Sequence, residues 1–324
     1  MDIRQLRFFA HIVDCGSLSR ASRELHIAQP ALSQHIAKLE AEVGKPLLSR
    51  SSRGVAPTEN GLALYHHARF MLRQFDQTLE IARGEVGPIQ GVATLGLPAT
   101  TVAAIGLPLV KRLRERFPKI LLNVVEGMSG HIGQLMRIGQ LDIAVLFNQE
   151  PASEAIIEPL MTEELFFIVA EHADLVPRGQ GTIGLSDAAA LPLILPTRDH
   201  GLRQRIDVEF ENRGLSTNVV AQVDSLSLVM DSVYDGMGAT IKPMGAIMRE
   251  SAGGRRFRSL RFHDLQFRRR NFLYTLPADR MTPAAAIVAA ELRETVRSLV
   301  TDRIWTGFEL AESNAGELPE AMAS

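Results

Sequence analysis

The sequence predicts an α+β multidomain chain: a head of short helices, one long helix, and a body in which strands and helices alternate. Three observations predict it. Apolar residues in 1–57 recur at helical spacing in short runs broken by Gly16 and Gly44, residues 58–83 include no proline, and from Val92 β-rich runs alternate with helical ones. A chain of 324 residues also exceeds what one core ordinarily organises.

Composition narrows the class. With 46% hydrophobic and 22% charged residues the chain is ordinary globular protein. No window approaches the ~18 uninterrupted apolar residues of a spanning helix, and Met1-Asp2-Ile3-Arg4 opens no signal-peptide pattern. A soluble, cytoplasmic protein with no membrane partner is expected. Cys15 is the single cysteine, which excludes an intramolecular disulfide or a cysteine-based zinc cluster, so neither metal nor cofactor is expected. The net charge of −2 argues against nucleic acid only if charge is evenly spread. It is not: residues 1–57 carry eight Lys and Arg against five acids, a net of +3 that leaves −5 on the remainder.

In the head, Leu6, Phe9, Ala10 and Val13 keep 3–4 spacing in a first helix ending near Cys15-Gly16. Ser17 caps a second helix whose Leu18, Ala21 and Leu25 share a face. His26-Ile27-Ala28 turns the chain, and Pro30 fits the first turn of a third helix. Leu32, Ile36 and Leu39 form its buried stripe, and it stops by Gly44. A 100° step per residue then puts Pro30, Ala31, Gln34 and Lys38 on the opposite side, with Ser33 at its edge. That outer face is small-sided with two long polar groups. Gln34 can pair with adenine, Lys38 can reach guanine or a phosphate, and Pro30 and Ala31 can meet a thymine methyl. Two helices joined by a short turn are the requirement of a helix-turn-helix. Beyond them, Arg50 and Arg53 sit at the tip of a two-stranded wing between Leu47-Leu48 and Val55, suited to phosphates or a narrow minor groove.

The long helix follows Thr58 and runs to about Arg83. Tyr65, Ala68, Leu72, Phe75, Leu79 and Ala82 keep heptad a/d spacing, which predicts packing on a partner helix, with docking on its own domain as the alternative. Gly84, Gly87, Pro88 and Gly91 then mark a hinge.

In the body, strands are expected at 92–97, 120–126, 141–147, 165–170, 193–195, 218–223 and 239–241. Helices are expected near 101–116, 129–139, 201–213, 225–236 and 282–300. This alternation predicts mostly parallel sheets in two α/β lobes about a cleft. Loops after the strands and helix N-termini would line that cleft and favour a small anion such as a carboxylate. The acidic last residues, with Glu309, Glu312, Glu317 and Glu320, are expected to form a loose tail.

The stretch Ser17–Ile36, with Gly44-Lys45-Pro46-Leu47-Leu48, Arg53-Gly54-Val55 and Pro57-Thr58-Glu59-Asn60-Gly61, resembles the winged helix-turn-helix of LysR-type transcriptional regulators. Phe117-Pro118, Glu126-Gly127, Gly139–Val145 and Gly236–Thr240 continue the resemblance through the body, over about residues 1–300. Within the family, Leu25–Gln34 and Val13-Asp14 are most similar to the subgroup of nitrogen assimilation control proteins. Leu48 departs from the usual Phe, a packing change.

The resemblance implies a winged helix-turn-helix DNA-binding domain at 1–58 and a dimerising linker helix and hinge at 59–90. It implies a periplasmic-binding-protein-like effector domain at 91–303, its lobes at about 91–161 plus 268–303 and at 162–267, before a flexible tail at 304–324. It implies a transcription regulator, activator or repressor, that binds double-stranded promoter DNA as a homodimer or homotetramer, meets RNA polymerase and answers a small-molecule effector. Gln29, Pro30, Ala31, Ser33, Gln34, Lys38, Arg50 and Arg53 would contact DNA. Tyr65, Ala68, Leu72, Phe75 and Leu79 would dimerise. Thr100, Thr101, Met128, Ser129, Phe147, Thr197, Ser225 and Lys242 would line the effector pocket.

Other signals are weaker. Gly179-Gln180-Gly181-Thr182-Ile183-Gly184 fits a dinucleotide-binding pattern, but it follows Pro177-Arg178 rather than a strand and reads as a surface turn. His66-His67 are adjacent on a helix and face different directions, so they read as solvated. The run Arg255–Arg270, with seven arginines, reads as a solvated edge or a subunit contact. The competing class is a two-lobed ligand-binding protein or enzyme that uses its head only to oligomerise.

Overall fold

The computed structural model describes residues 1–51, 54–82, 89–147, 155–278, 280–302 and 305–311, with the side chains of 66, 70, 73, 77, 79–82, 251 and 252 excepted. The chain forms two compact units, Met1–Pro88 with Leu135–Gln140, and Ile89–Gln134 with Leu141–Ser324.

In the first unit α1 (Ile3–Cys15) is closed at its N-terminus by a capping box from Asp2 and Gln5, and at its C-terminus by left-handed Gly16. Ser17 caps α2 (Leu18–Glu24), and α3 (Gln29–Val43) ends on left-handed Gly44. Phe9, Ile12, Ala21, Leu32, Ile36, Leu39 and Leu47 are buried together as the core of this head. Leu48, at 8% exposure, belongs to that core, so the smaller residue is accommodated by packing. The wing is the antiparallel pair β1 (Leu48–Ser51) and β2 (Gly54–Pro57). Its Val55 N–H donates to the carbonyl of Gly16, which ties it to the α1–α2 turn. The long helix α4 (Glu59–Ala82) packs on α1.

The second unit opens with β3 (Gly91–Leu97), then α5 (Ala99–Thr101), which continues through a π-helical turn at Val102–Gly106 into α6 (Leu107–Arg116). Next come β4 (Ile120–Glu126), α7 (Ser129–Arg137), β5 (Ile143–Leu146) and the 15-residue β6 (Ile156–Ala170). Beyond it lie β7 (Thr182–Ile183), α8 (Leu185–Ala190), β8 (Leu193–Leu195), α9 (Gly201–Glu211) and β9 (Val219–Gln222). The chain returns through α10 (Leu226–Tyr234), β10 (Thr240–Pro243), α11 (Gly245–Ala252), β11 (Phe257–Phe262) and β12 (Arg268–Thr275). The last elements among the described residues are α12 (Pro283–Thr301) and β13 (Phe308–Leu310).

Two apolar cores define two lobes. One gathers Leu95, Ile143, Val145, Leu273, Val288 and Leu292; the other gathers Phe167, Leu193, Leu195, Ile206, Phe210 and Ile241. The expected mostly parallel sheet in each lobe is corrected. Parallel pairing joins β3 to β4 and β5, β8 to β9, and β11 to β7, but every strand paired with β6 runs antiparallel to it. The long β6 passes through both lobes: Ile156–Glu164 pair with β12, and Leu165–Ala170 pair with β10 and β11. The first half of β6 and both strands of the arginine run are too charged to carry a period-2 apolar pattern. Arg261–Glu164 and Arg269–Glu163 ion pairs link those strands to β6 instead.

The tail is corrected in part. Trp305 and Phe308 are buried in the first core at 4% and 7% exposure, and β13 pairs with β6, so residues 305–310 are packed. Aromatic area outweighs the acidic composition that suggested a loose end. Gly179 and Gly181 precede β7 in a loop with open space around them, which bears out a surface turn.

Candidate nucleic-acid interface and effector cleft

The helix-turn-helix presents a free face. Leu32, Ile36 and Leu39 point into the head core, and Gln29, Pro30, Ala31, Gln34 and Lys38 are exposed on the other side of α3, with Ser33 half-buried between. Ala28, the residue before the helix, makes no side-chain cap, which leaves the first-turn amides available to a phosphate. Arg50 is exposed on β1. Arg53 lies outside the described residues. In α4 the Tyr65 hydroxyl hydrogen-bonds Asp14, and Arg69 pairs with the same carboxylate at 2.9 Å. Burial, reinforced by Asp14, pushes the Tyr65 phenol up to about 12. Ala68 and Leu72 are buried within the chain at 0% and 9% exposure, while Met71 and Phe75 stand out at 37% and 40%. The Leu79 side chain lies outside the described residues.

Within the second unit, a cavity of about 240 Å³ opens between the two lobes. Six predicted residues line it: Thr100, Met128, Ser129, Phe147, Ser225 and Lys242. Two do not. Thr101 is buried at 2% exposure, and Thr197 donates both its N–H and its hydroxyl to the Asp224 carboxylate at 2.9–3.0 Å. His200, Asp224, Arg249 and Arg269 join the lining.

Lys242 on β10 is 4% exposed, and among the described residues its amino group has no hydrogen-bond or ion-pair partner. Burial, with Arg269 nearby, pulls it down to about 7. Arg269 is buried, pairs with buried Glu163, donates to Thr100 Oγ1 at 3.1 Å and lies 3.5 Å from the Phe147 ring centroid. Burial also lowers the Arg269 guanidinium from its ordinary value, against the pull of Glu163. His200 accepts from the Leu202 N–H through Nδ1 at 3.1 Å, and burial with the positive Lys242 and Arg269 takes it down to about 4. The cleft therefore holds one buried cation already neutralised and one left open. Arg269 is among the lining residues not legible in the sequence, because its arginine run reads as solvent edge until β12 is seen beside β6.

A winged helix-turn-helix head with an exposed polar face on α3, in a chain whose other unit has two lobes around a cationic cleft, defines the class of a DNA-binding regulator with an effector-binding domain. Residues 3–62 match the bacterial regulatory helix-turn-helix family, lysR type, and residues 87–297 match the LysR substrate binding domain. The chain belongs to the LysR family of transcription regulators, and the enzyme reading falls with that membership. It is 37% identical over 248 residues to the nitrogen assimilation regulatory protein nac of Klebsiella aerogenes, covering 76% of this chain and 79% of that one. The Escherichia coli counterpart is 35% identical over the same length. Among solved structures, full-length OxyR C199D of Pseudomonas aeruginosa superposes with a TM-score of 0.71 at 20% identity, covering 92% of this chain and 98% of that one.

Proposed function

We propose that this regulator reads promoter DNA through Gln29, Pro30, Ala31, Ser33, Gln34 and Lys38 of α3 together with Arg50 and Arg53 of the wing. The exposed polar face of α3 behind a buried Leu32–Ile36–Leu39 stripe carries the reading. It acts in the cytoplasm as a homodimer or homotetramer, through the outward Met71–Phe75 side of α4 and a second apolar surface. That surface comprises Leu107 and Val110 of α6 with Val124 of the edge strand β4, Leu107 at 65% exposure. RNA polymerase is its downstream partner. The division into a head at 1–58, a linker at 59–90 and an effector body from 91 belongs to this proposal.

The cleft takes a small anion. Lys242 supplies an open positive charge inside a cavity that already seats Arg269, and the N-termini of α7 and α10, at Ser129 and Ser225, flank it. Fluorescence anisotropy on the upstream region tests the interface. Gln34→Ala should cost about 1–3 kcal/mol and relax base preference. Arg50→Ala should weaken all sequences alike and flatten the salt slope by about 1. Parent-like affinity in both variants would refute this interface.

A further inference from the structure

We infer that His11, Cys15 and Glu24 form a three-ligand site for a borderline divalent cation, Zn2+ by chemistry, inside the DNA-binding head. The set is absent from sequence motifs because it is assembled across the Gly16 turn. His11 and Cys15 are one helical turn apart on a single face of α1, and Glu24, the last residue of α2, folds back against them. One imidazole nitrogen, the sulfur and a carboxylate oxygen all lie within 4.8 Å of one another. His11 Nε2 is 3.0 Å and Cys15 Sγ 3.3 Å from the same oxygen, Glu24 Oε2. Tetrahedral Zn–N, Zn–O and Zn–S bonds set ligand atoms about 3.3–3.6 Å apart, a spacing that the two contacts to Glu24 Oε2 approach.

Two further features point to an ion rather than to a hydrogen-bonded cluster. His11 Nε2 is buried and makes no aligned hydrogen bond, even with the carboxylate beside it. The other carboxylate oxygen is occupied: Arg20 donates to Glu24 Oε1 at 2.8 Å and holds the carboxylate with Oε2 turned inward. Outer partners that orient a ligand in this way are a regular part of metal sites. Asp14, the next acid, is engaged by Tyr65 and Arg69, which leaves the fourth position to water.

Without metal, Cys15 is a thiol that donates to Glu24, and burial followed by the Glu24 carboxylate raises its pKa. Binding would replace that proton with the cation and release it to solvent. The bound ion would staple α1 to α2 at the turn whose Gly16 carbonyl anchors the wing through Val55. Its chemical class is a cation that accepts nitrogen, thiolate and a single carboxylate oxygen, which favours Zn2+ over Mg2+ or Ca2+.

Co2+ is the probe. Tag-free full-length protein, freed of metal under reducing conditions, is titrated with Co2+ and then with Zn2+. The expected result is a thiolate-to-cobalt charge-transfer band and strong four-coordinate visible bands, saturating near one ion per chain and displaced by Zn2+. Cys15→Ser should abolish the charge-transfer band, and His11→Gln should lower Zn2+ affinity at least about tenfold. Zn2+ should raise the thermal midpoint of the parent, but not that of His11→Gln, whose metal-free midpoint serves as the folding control. A His66→Gln, His67→Gln double variant should behave as the parent. Co2+ bound without a charge-transfer band, Zn2+ affinity indifferent to Cys15→Ser, or binding lost in the His66/His67 variant would each overturn the site.

Discussion

Lys242 is the residue at which a charged ligand would change this protein most. Held out of water and near Arg269, it titrates at about 7 instead of 10.5. Between those values the unfolded chain carries a proton that the folded chain lacks, so this group makes stability rise with pH from about 7 to 10.5. An anion in the cleft reverses the preference, because it binds to the protonated amine and must draw a proton in. Effector affinity should therefore be flat below pH 7 and fall above it, approaching about tenfold per pH unit. Calorimetry at about pH 8 in buffers of different ionisation heats should show proton uptake that Lys242→Met abolishes. Affinity that holds level between about pH 7 and pH 9 would contradict the role given to Lys242. Of the eight predicted cleft residues, those placed by strand ends were legible because loops after strands face a cleft in any such sheet. Thr101 and Thr197 were indistinguishable from their neighbours, since one residue's rotation decides whether a hydroxyl lines a cavity or caps a turn. Arg269 was hidden for a different reason: its meaning depends on Glu163, 106 residues away in sequence.

Among the elements, α4 shows how one stripe can serve two surfaces. Its heptad spacing was visible, but spacing alone does not say which partner covers it. The structure packs α4 on α1 and buries Ala68 and Leu72 inside the chain, leaving Met71 and Phe75, one turn apart, facing out. Phe75→Asp should yield monomers in a folded state; sedimentation identical to the parent would remove α4 from the assembly. Leu72→Asp is a different experiment, because it buries a charge in the chain's own packing and should unfold the head. The junction between wing and α4 is equally specific. Thr58 donates its N–H to the Leu47 carbonyl and its hydroxyl accepts from Gly61, so the helix starts hard against β1. A Cβ at Gly61 would stand 1.8 Å from that carbonyl oxygen. Gly61→Ala should cost about 1–3 kcal/mol in denaturant unfolding and weaken DNA binding by moving the wing. A stability change below about 0.5 kcal/mol, the range of an ordinary surface substitution, would show that the helix start can yield.

Across the whole molecule, local signals are legible in the sequence and long-range pairings are not. Helix caps at Ser17, Gly16 and Gly44, and strands such as Ile120–Glu126, lie where sequence reading puts them, because propensity and apolar period agree there. The architecture of the body instead depends on β6, which joins the lobes by pairing with strands from residues 240 to 310, and nothing local announces those partners. The same strand explains why residues 305–310 are packed despite the acidic composition around them. Phe308, Glu309 and Leu310 pair with Glu163, Thr162 and Met161, and Trp305 packs on Phe308 in a tilted arrangement with ring centroids 4.8 Å apart, both inside the first core. Glu163 in turn holds Arg269 in the cleft wall, so the last strand supports the element that shapes the ligand site. Trp305→Ala should remove about 3–5 kcal/mol from the unfolding of the effector domain, the range for a large aromatic deleted from a core. It should also weaken effector binding although Trp305 does not line the cavity. Denaturant unfolding with a midpoint equal to the parent's would mean that residues 305–310 contribute nothing to the core. A lowered midpoint with unchanged effector affinity would separate the strand's structural role from the cleft it borders.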